Sequence, residues 1–184
     1  MSLPQPILYD PNRHCHLLVQ IASIHAACII NDNQLASFLP NSDGSLDHEK
    51  MLAYWQSRSE DVKRGLRFFV LQFTDLEETE VAGYGCLYMP PSETGPFRGE
   101  VEKLMVSPHH RFKGVARQVM EKLEREAVRR GRWLIILDTT IGTPAENIYP
   151  RLGYISWGVL PNYGISPKDG TLVDERWFYK DLRH

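Results

Sequence analysis

The segment EKLMVSPHHRFKGVARQVMEKLEREAVRR (residues 102–130) joins two periodicities through a polar loop. Leu104, Met105 and Val106 form a short apolar run of strand type. Beyond the loop, Ala116, Val119, Met120, Leu123 and Ala127 recur at helical spacing, so one helix face is apolar and must pack on something. The junction is chemically odd. A helix start ordinarily recruits Ser, Thr, Asp or Asn as its cap and acidic side chains to its first turn. Here the cap candidate is Gly114, and three cations, Arg111, Lys113 and Arg117, crowd the end where the helix dipole is already positive. A negative ligand resolves the conflict, because free N–H groups at a helix start bind anions and phosphate is the common case. Gly114 would let an oxygen approach the backbone closely, and the pattern predicts a pyrophosphate. The competing reading is a solvated helix with ordinary surface cations. Two familiar phosphate loops do not fit. Lys113 precedes the glycine and Val115 follows it, unlike a nucleotide-hydrolase loop, and one glycine does not make a dinucleotide fingerprint.

Working outward, EVEKLMV (residues 100–106) reads as the strand before the loop, and WLIILDT (residues 133–139) reads as a strand covered on both faces. Strand, helix and strand in that order imply a right-handed parallel crossover. Upstream, PILY (residues 6–9) is a short strand. Leu17, Ile21, Ile24 and Cys28 share a helical face, and Asp47 can cap a second helix that buries Met51, Leu52, Trp55 and Val62. RFFVLQF (residues 67–73) and VAGYGCLYM (residues 81–89) form a meander around the polar turn TDLEETE, with Gly83 and Gly85 inside the second strand, where they could make room for substrate or mark only a twist or bulge. Downstream, PAENIYPRLGY (residues 144–154) is a short helix ending near Gly153, shortened or bent by Pro150. ISWGVL and ERWFYKDL close the chain as strands, and residues 161–172 between them read as a loop beside the site. The order predicts an α/β fold of mixed α+β character, with helices on both faces of one mixed sheet in a single domain over residues 1–184.

Composition sets further bounds. Hydrophobic residues make up 42% and charged residues 24% of the 184, and 21 basic against 23 acidic residues leave a charge of −2. That balance argues against a surface built for nucleic acid. No uncharged apolar run reaches membrane-span length and no secretory leader pattern opens the chain, so the expectation is a cytosolic protein, with the nucleus left open. Cys15, Cys28 and Cys86 are odd in number and widely spaced, which fits buried thiols in a reducing compartment. His14, Cys15 and His16 lack zinc spacing, and no metal is expected.

Arg111-x-x-Gly114-x-Ala116, after a strand and before an amphipathic helix, resembles the R/Q-x-x-G-x-G/A motif of the GNAT superfamily of acetyl-coenzyme A-dependent N-acetyltransferases. Ala145-x-x-x-Tyr149 followed by Leu152-Gly153-Tyr154 resembles that family's second motif. The resemblance implies a central mixed, mostly antiparallel sheet with a parallel, splayed centre. EVEKLMV, LDT, AENIY, LPNYG and DGTL are further similar to the tabtoxin-resistance type, which acetylates a small amine toxin.

Carried over by position, the resemblance implies that Leu104, Met105 and Val106 pair through their backbones with the pantetheine arm of acetyl-coenzyme A. Backbone groups of Arg111, Phe112, Lys113, Gly114, Val115 and Ala116 would hold the pyrophosphate with Arg117 nearby, while Ala145 and Tyr149 line the thioester end. Phe112 replaces a common glycine, and Gly142 replaces the usual Asn three residues before Ala145. The acceptor ammonium, with a pKa of roughly 10.4, must lose its proton before it can attack. Glu100 and Glu102, two apart on one strand, are the candidate bases, with a water chain as the alternative and a strand bulge able to change which one faces the substrate. Tyr149 is the candidate acid toward the departing thiolate, and a backbone N–H near Val106 could meet the carbonyl oxygen. The expected activity is acetyl transfer to a primary amine of a small molecule by a monomer or homodimer. The alternatives are a protein lysine or N-terminus as acceptor, and a catalytically silent acyl-coenzyme A-binding module.

Overall fold

RFFVLQF forms β2 (Arg67–Phe73), buried at all of its positions, because helices cover both faces of the sheet that it enters. The structure is a computed structural model that describes residues 3–32 and 34–183. Its remaining strands are β1 (Ile7–Leu8), β3 (Val81–Tyr88), β4 (Arg98–Val106), β5 (Leu134–Thr140), β6 (Ile155–Ile165) and β7 (Leu172–Asp181). Its helices are α1 (Leu18–Asp32), α2 (His48–Lys63), α3 (Val115–Arg129) and the short α4 (Ile148–Arg151), which follows the 3-10 turn Pro144–Asn147. The sheet runs β1-β2-β3-β4-β5-β7-β6. Its pairs are antiparallel except β4 with β5, which are parallel over Arg98↔Leu134, Gly99↔Ile135 and Glu100↔Ile136. The mixed sheet agrees with the element order, and its mostly antiparallel make-up with a short parallel centre agrees with what the family resemblance implies.

Two cores lie on opposite sheet faces. One packs α1 and α2 through Ile21, Cys28, Met51 and Trp55 onto Phe69, Tyr84 and Met105. The other packs α3 through Val115, Val119, Met120 and Leu123, with Tyr149 and Tyr154, onto Val70, Leu87, Ile135 and Phe178. The run Cys15–Asp32 is long and apolar enough to cross a membrane, at a mean hydropathy of 1.2, but half of it is buried inside this fold. Asp47 caps α2 as the sequence indicates, its carboxylate accepting from Lys50 N–H at 2.9 Å.

Gly83 and Gly85 make room for α3 rather than for substrate. A Cβ on Gly85 would stand 2.7 Å from Leu123 Cδ1 and 2.9 Å from Val119 Cγ1. One on Gly83 would meet Val115 Cγ1 at 2.7 Å and the Met105 carbonyl at 2.8 Å. The amphipathic helix read from residues 116–127 therefore lies flat on a strand pared down to receive it. The stretch 161–172 is also not all loop: β6 continues to Ile165 and pairs with β7 as far as Leu172, leaving residues 166–171 as the turn. Cys28 and Cys86 are buried as expected, whereas Cys15 is exposed.

His25 of α1 locks the segment between α1 and α2. Its Nε2–H donates to the Ala36 carbonyl at 2.7 Å, so its Nδ1 is the acceptor for Trp55 Nε1–H at 3.2 Å. A proton on Nδ1 would point donor at donor. Burial is the larger cause that pushes the imidazole down to about 4, from an ordinary 6.5. The unfolded chain thus binds the extra proton between those values, and the contribution of His25 is complete above about pH 6.5 and fades toward pH 4. Thermal unfolding from pH 7 to 4.5 should show a falling midpoint, with up to about 3 kcal/mol at stake from this group. His25→Gln should be less stable at pH 7 yet flatter across that window; an unchanged slope would exclude His25 as the source. Gly85→Ala should cost about 1–3 kcal/mol in urea denaturation through overpacking against α3, and a neutral result would refute the close packing described.

Candidate active site

The parallel pairing of β4 and β5 ends at Glu100↔Ile136 and the two strands part. A cavity of about 580 Å³ opens where they diverge, within the usual range for small-ligand sites. Residues 100–105 of β4 form one wall and Asp138, Thr139 and Thr140 of β5 the other; residues 34–39, Ala145, Tyr149, Tyr163 and Glu175 complete it. β4 is distorted at this point. Its register with β3 moves from Tyr84↔Met105 to Cys86↔Glu102, so Lys103 and Leu104 together oppose Gly85, and Lys103 takes φ 55°. The bulge lies beyond both glutamates, so Glu100 and Glu102 stay on one face and both line the cavity.

Strand register adds two carboxylates. Glu100 pairs with Ile136 and Thr140 with Glu175, so alternation puts Glu100, Glu102, Asp138, Thr140 and Glu175 on one sheet face. Glu102 is held by Arg67 Nη1, whose Nε also donates to Asp61 at 3.0 Å. Among the described residues Glu100 has no such partner, and burial, then Glu102 and Asp138, raise its carboxyl above the usual range. Asp138 is raised by burial against the opposing pull of Lys103. Burial pushes Glu175 up to about 7, although its Oε1 accepts from Thr140 Oγ1 at 2.7 Å. Glu175 is 1% exposed, and its Oε2 is buried with no hydrogen-bond partner among the described residues.

Tyr149 enters from the other side. It belongs to the α3 and α4 core, packs against Tyr154 and Phe178, and still lines the cavity. The cavity therefore passes between the parted strands, with the tyrosine on one side and carboxylates on the other. Burial, then the charges of Asp138 and Glu175, raise the phenol well above its ordinary value, so it keeps its proton at neutral pH. Cys28 and Cys86 are pushed up to about 11 and about 12, chiefly by burial, and are not nucleophiles.

The loop before α3 has the form expected of an anion seat, with its cations used differently. Gly114 sits at the N-cap with φ 81° and no side-chain cap, and the first intrahelical bond is Gln118 N–H to its carbonyl at 3.0 Å. The N–H groups before Gln118 are thus outside the helical ladder. Arg111, however, grips Asp32 with both terminal nitrogens, at 2.8 and 2.6 Å. Lys113 reaches the His109 carbonyl at 3.2 Å and His110 Nδ1 at 3.4 Å, while Arg117 is exposed. The expected ring of three cations around an anion is therefore corrected: Arg111 compensates an aspartate at the negative end of α1. Phe112 is fully exposed and holds φ 60°, the conformation for which glycine is the usual residue. Gly142 likewise holds φ 83°, and its N–H donates to Glu146 Oε2 at 2.8 Å.

Of the residues expected in the site, Glu100, Glu102, Leu104, Met105, Ala145 and Tyr149 meet in the one cavity. Val106 and residues 111–117 lie beyond it, at the end of β4 and the start of α3. Lys103, Asp138 and Glu175 line it as well and were not foreseen, and Tyr163 joins them from the stretch 161–172 expected beside the site. Asp138 left a signal, a carboxylate inside the apolar run WLIILDT. Glu175 left none, since only the β5–β7 register brings it opposite Thr140.

Comparison with known proteins agrees with this geometry. The profile of the Acetyltransferase (GNAT) family matches residues 32–154. The curated uncharacterized N-acetyltransferase YsnE of Bacillus subtilis (strain 168) is 32% identical over 94 residues, 50% of this chain and 60% of that protein. The chain thus spans well under two thirds of that relative's length. Among solved structures, ribosomal-protein-alanine N-acetyltransferase from Brucella melitensis superposes with a TM-score of 0.71 at 20% identity, over 96% of this chain and 99% of the other. A phosphinothricin acetyltransferase from Sinorhizobium meliloti, in complex with acetyl-coenzyme A, gives 0.71 at 19% identity over 97% and 89%. These two likenesses speak for the fold. With the profile covering more than half of the residues, and both sequence motifs inside it, the chain belongs to the GNAT family of acetyltransferases.

Proposed function

We propose that the protein transfers the acetyl group of acetyl-coenzyme A directly to a primary amine, and that the observation carrying this is the cavity through the parted strands, with Glu100 and Tyr149 on its two sides. The chain's own features fit the carrier. β4 beyond Glu100 has lost its β5 partner, so its edge is open to an extended arm, and α3 offers unladdered N–H groups at a glycine. When bound, acetyl-coenzyme A supplies an acetyl thioester. Glu100, unpaired and raised by burial, accepts the proton that the acceptor ammonium must lose. Glu102 is engaged by Arg67 and serves better to shape the field around Glu100. Tyr149 holds its proton on Oη and offers it to the departing sulfur. No enzyme nucleophile takes part.

What carries the amine divides two readings. The ribosomal-protein-alanine enzyme among the fold relatives favours a polypeptide N-terminus, and the phosphinothricin enzyme favours a small molecule. The resemblance to the tabtoxin-resistance type belongs to the second reading, and the LPNYG segment that carries it does place Tyr163 and Gly164 on the cavity wall. We also place the reaction in a reducing compartment, where the free thiols Cys15, Cys28 and Cys86 persist.

Calorimetric titration with acetyl-coenzyme A tests the carrier, and absence of saturable heat would refute it. Thiol release across amines, amino-terminal peptides and lysine peptides separates the acceptors; binding without release from any would leave a catalytically silent acyl-coenzyme A-binding module. Tyr149→Phe should lower kcat at least tenfold while acetyl-coenzyme A affinity changes less than twofold, and an unaltered kcat removes it from the chemistry. Glu100→Gln should lower kcat/KM by about 10²-fold and abolish the rise of rate with pH that follows Glu100 ionisation. A pH profile matching the parent would assign proton uptake to water.

A further inference from the structure

The cavity holds more carboxyl groups than acetyl transfer uses. Glu102 is compensated by Arg67, and Glu100 is occupied with the proton of the reacting amine. Asp138 and Glu175 remain, with Lys103 the cationic side chain on the wall. Register places these two carboxylates at one corner: Asp138 and Thr140 are two apart on β5, and Glu175 lies opposite Thr140 on β7.

Glu175 shows that this corner is built for a ligand. The residue is 1% exposed, one carboxylate oxygen is fixed by Thr140 Oγ1, and the other is buried with no donor among the described residues. An unpartnered buried carboxylate oxygen is costly, and such a group persists where a bound partner completes it. Asp138 makes no side-chain hydrogen bond to another described residue that would satisfy it instead. Lys103 acts on both carboxyls through space but is ion-paired with neither among the described residues, and the reacting nitrogen supplies no lasting counter-charge, because it must lose its proton before it attacks. A cation elsewhere in the acceptor keeps its charge throughout the reaction.

We propose that the acceptor carries a second cationic group, an ammonium or guanidinium a few bonds from the reacting amine, and that Asp138 and Glu175 hold it. The inference rests on the acetyltransferase reading above and names the substrate class for that site. The same corner repels an acceptor bearing a carboxylate at that distance, so it selects by exclusion as well as by attraction. Tyr163, 47% exposed on the adjoining wall, offers an aromatic face to the connecting carbons or to the cation itself.

The test uses the full chain with 1,4-diaminobutane, butylamine and 4-aminobutanoate. A peptide beginning Ala-Lys, and its counterpart beginning Ala-Gln, complete the set. Thiol release gives kcat/KM, and thermal shift in the presence of unacetylated coenzyme A gives binding without turnover. Diaminobutane should exceed butylamine at least tenfold, or the Ala-Lys peptide should exceed Ala-Gln by as much, and aminobutanoate should be the poorest. Whichever pair shows the preference identifies a small molecule or a polypeptide as the carrier of the two cations. In Asp138→Asn and in Glu175→Gln that preference should collapse toward unity, a loss of about tenfold or more for one charge-assisted contact. If Glu175→Gln does not fold, Asp138→Asn and the parent panel still decide. Equal use of diamine and monoamine together with equal use of both peptides, or a preference for aminobutanoate, overturns the proposal while leaving acetyl transfer intact. Saturable binding of diaminobutane with no thiol release from any amine would retain the cation corner and sink the transfer reading.

Discussion

The separation of β4 from β5 after one short parallel contact governs the rest of this structure. Three residue pairs hold the strands together, and past Glu100↔Ile136 each presents an edge without its neighbour. Unpaired strand edges inside a sheet are unstable unless something fills or covers them. Here the bulge at Lys103 turns β4 aside, and the segment following α1 covers the opening. That cover is itself fixed from below, where His25 binds Ala36 on one side and Trp55 on the other. Leu35 adds a contact from the opposite direction, its N–H reaching Thr140 Oγ1 at 3.4 Å. The hydroxyl that takes this bond also fixes Glu175. The lid segment, the parted strands and the buried carboxylate are thus one connected assembly.

Much of this was legible in the residues, because the elements concerned are governed by local rules. The helix over residues 115–129 announces itself by spacing, the capping Asp47 by type, and β2 by the apolar run Phe68 to Leu71 at its centre. Pro150 correctly limits its helix to a single turn after a 3-10 start. What stayed hidden depends on which strand lies beside which. Gly83 and Gly85 look like space for a ligand until α3 is seen lying on them. Residues 161–165 look like a loop because Pro161, Asn162 and Gly164 are turn formers, yet pairing with β7 extends the strand through them. Register irregularities between Leu160 and Gly164, with Asn162 at φ 54°, absorb the misfit. Glu175 was hidden most completely, since nothing in ERWFYKDL distinguishes a solvated edge carboxylate from one facing a cavity.

The electrostatics explain why four carboxylates can share one wall. Glu102 shares its cation with Asp61, and that guanidinium also lies over the Tyr88 ring at 4.4 Å, so one arginine joins α2, β2 and β4. Lys103 stands at the bulge, where its left-handed backbone departs from regular β geometry. Glu175 meets the remaining repulsion with a carboxyl that burial pushes up to about 7, and a cation beside it would favour the ionised form. Its raised value means that ionising it costs folding stability, a cost absent below about pH 4.5 and complete above about pH 7. The fold therefore gives up some stability at neutral pH to keep an acidic cavity, as functional sites commonly do.

The conflict posed by cations at the start of α3 has two separate resolutions. α1 ends on Asp32 with no basic residue in its last turn, an arrangement that its own dipole disfavours. Arg111 corrects this with a bidentate grip, the geometry in which a guanidinium is worth most. Its charge is then largely neutralised before any ligand arrives, and the loop is tied to the opposite layer of the protein. In the proposed reading, anion binding at this turn would fall to what is left: the backbone N–H groups ahead of Gln118, the exposed Arg117, and Lys113 on its short tether to His109 and His110. The backbone points the same way. Phe112 holds φ 60°, uncommon for a residue with a side chain, beside Gly114 at φ 81°, which glycine adopts freely. The Arg111–Asp32 pair ties this loop to the end of α1, so the turn is anchored by a salt bridge that need not touch any ligand.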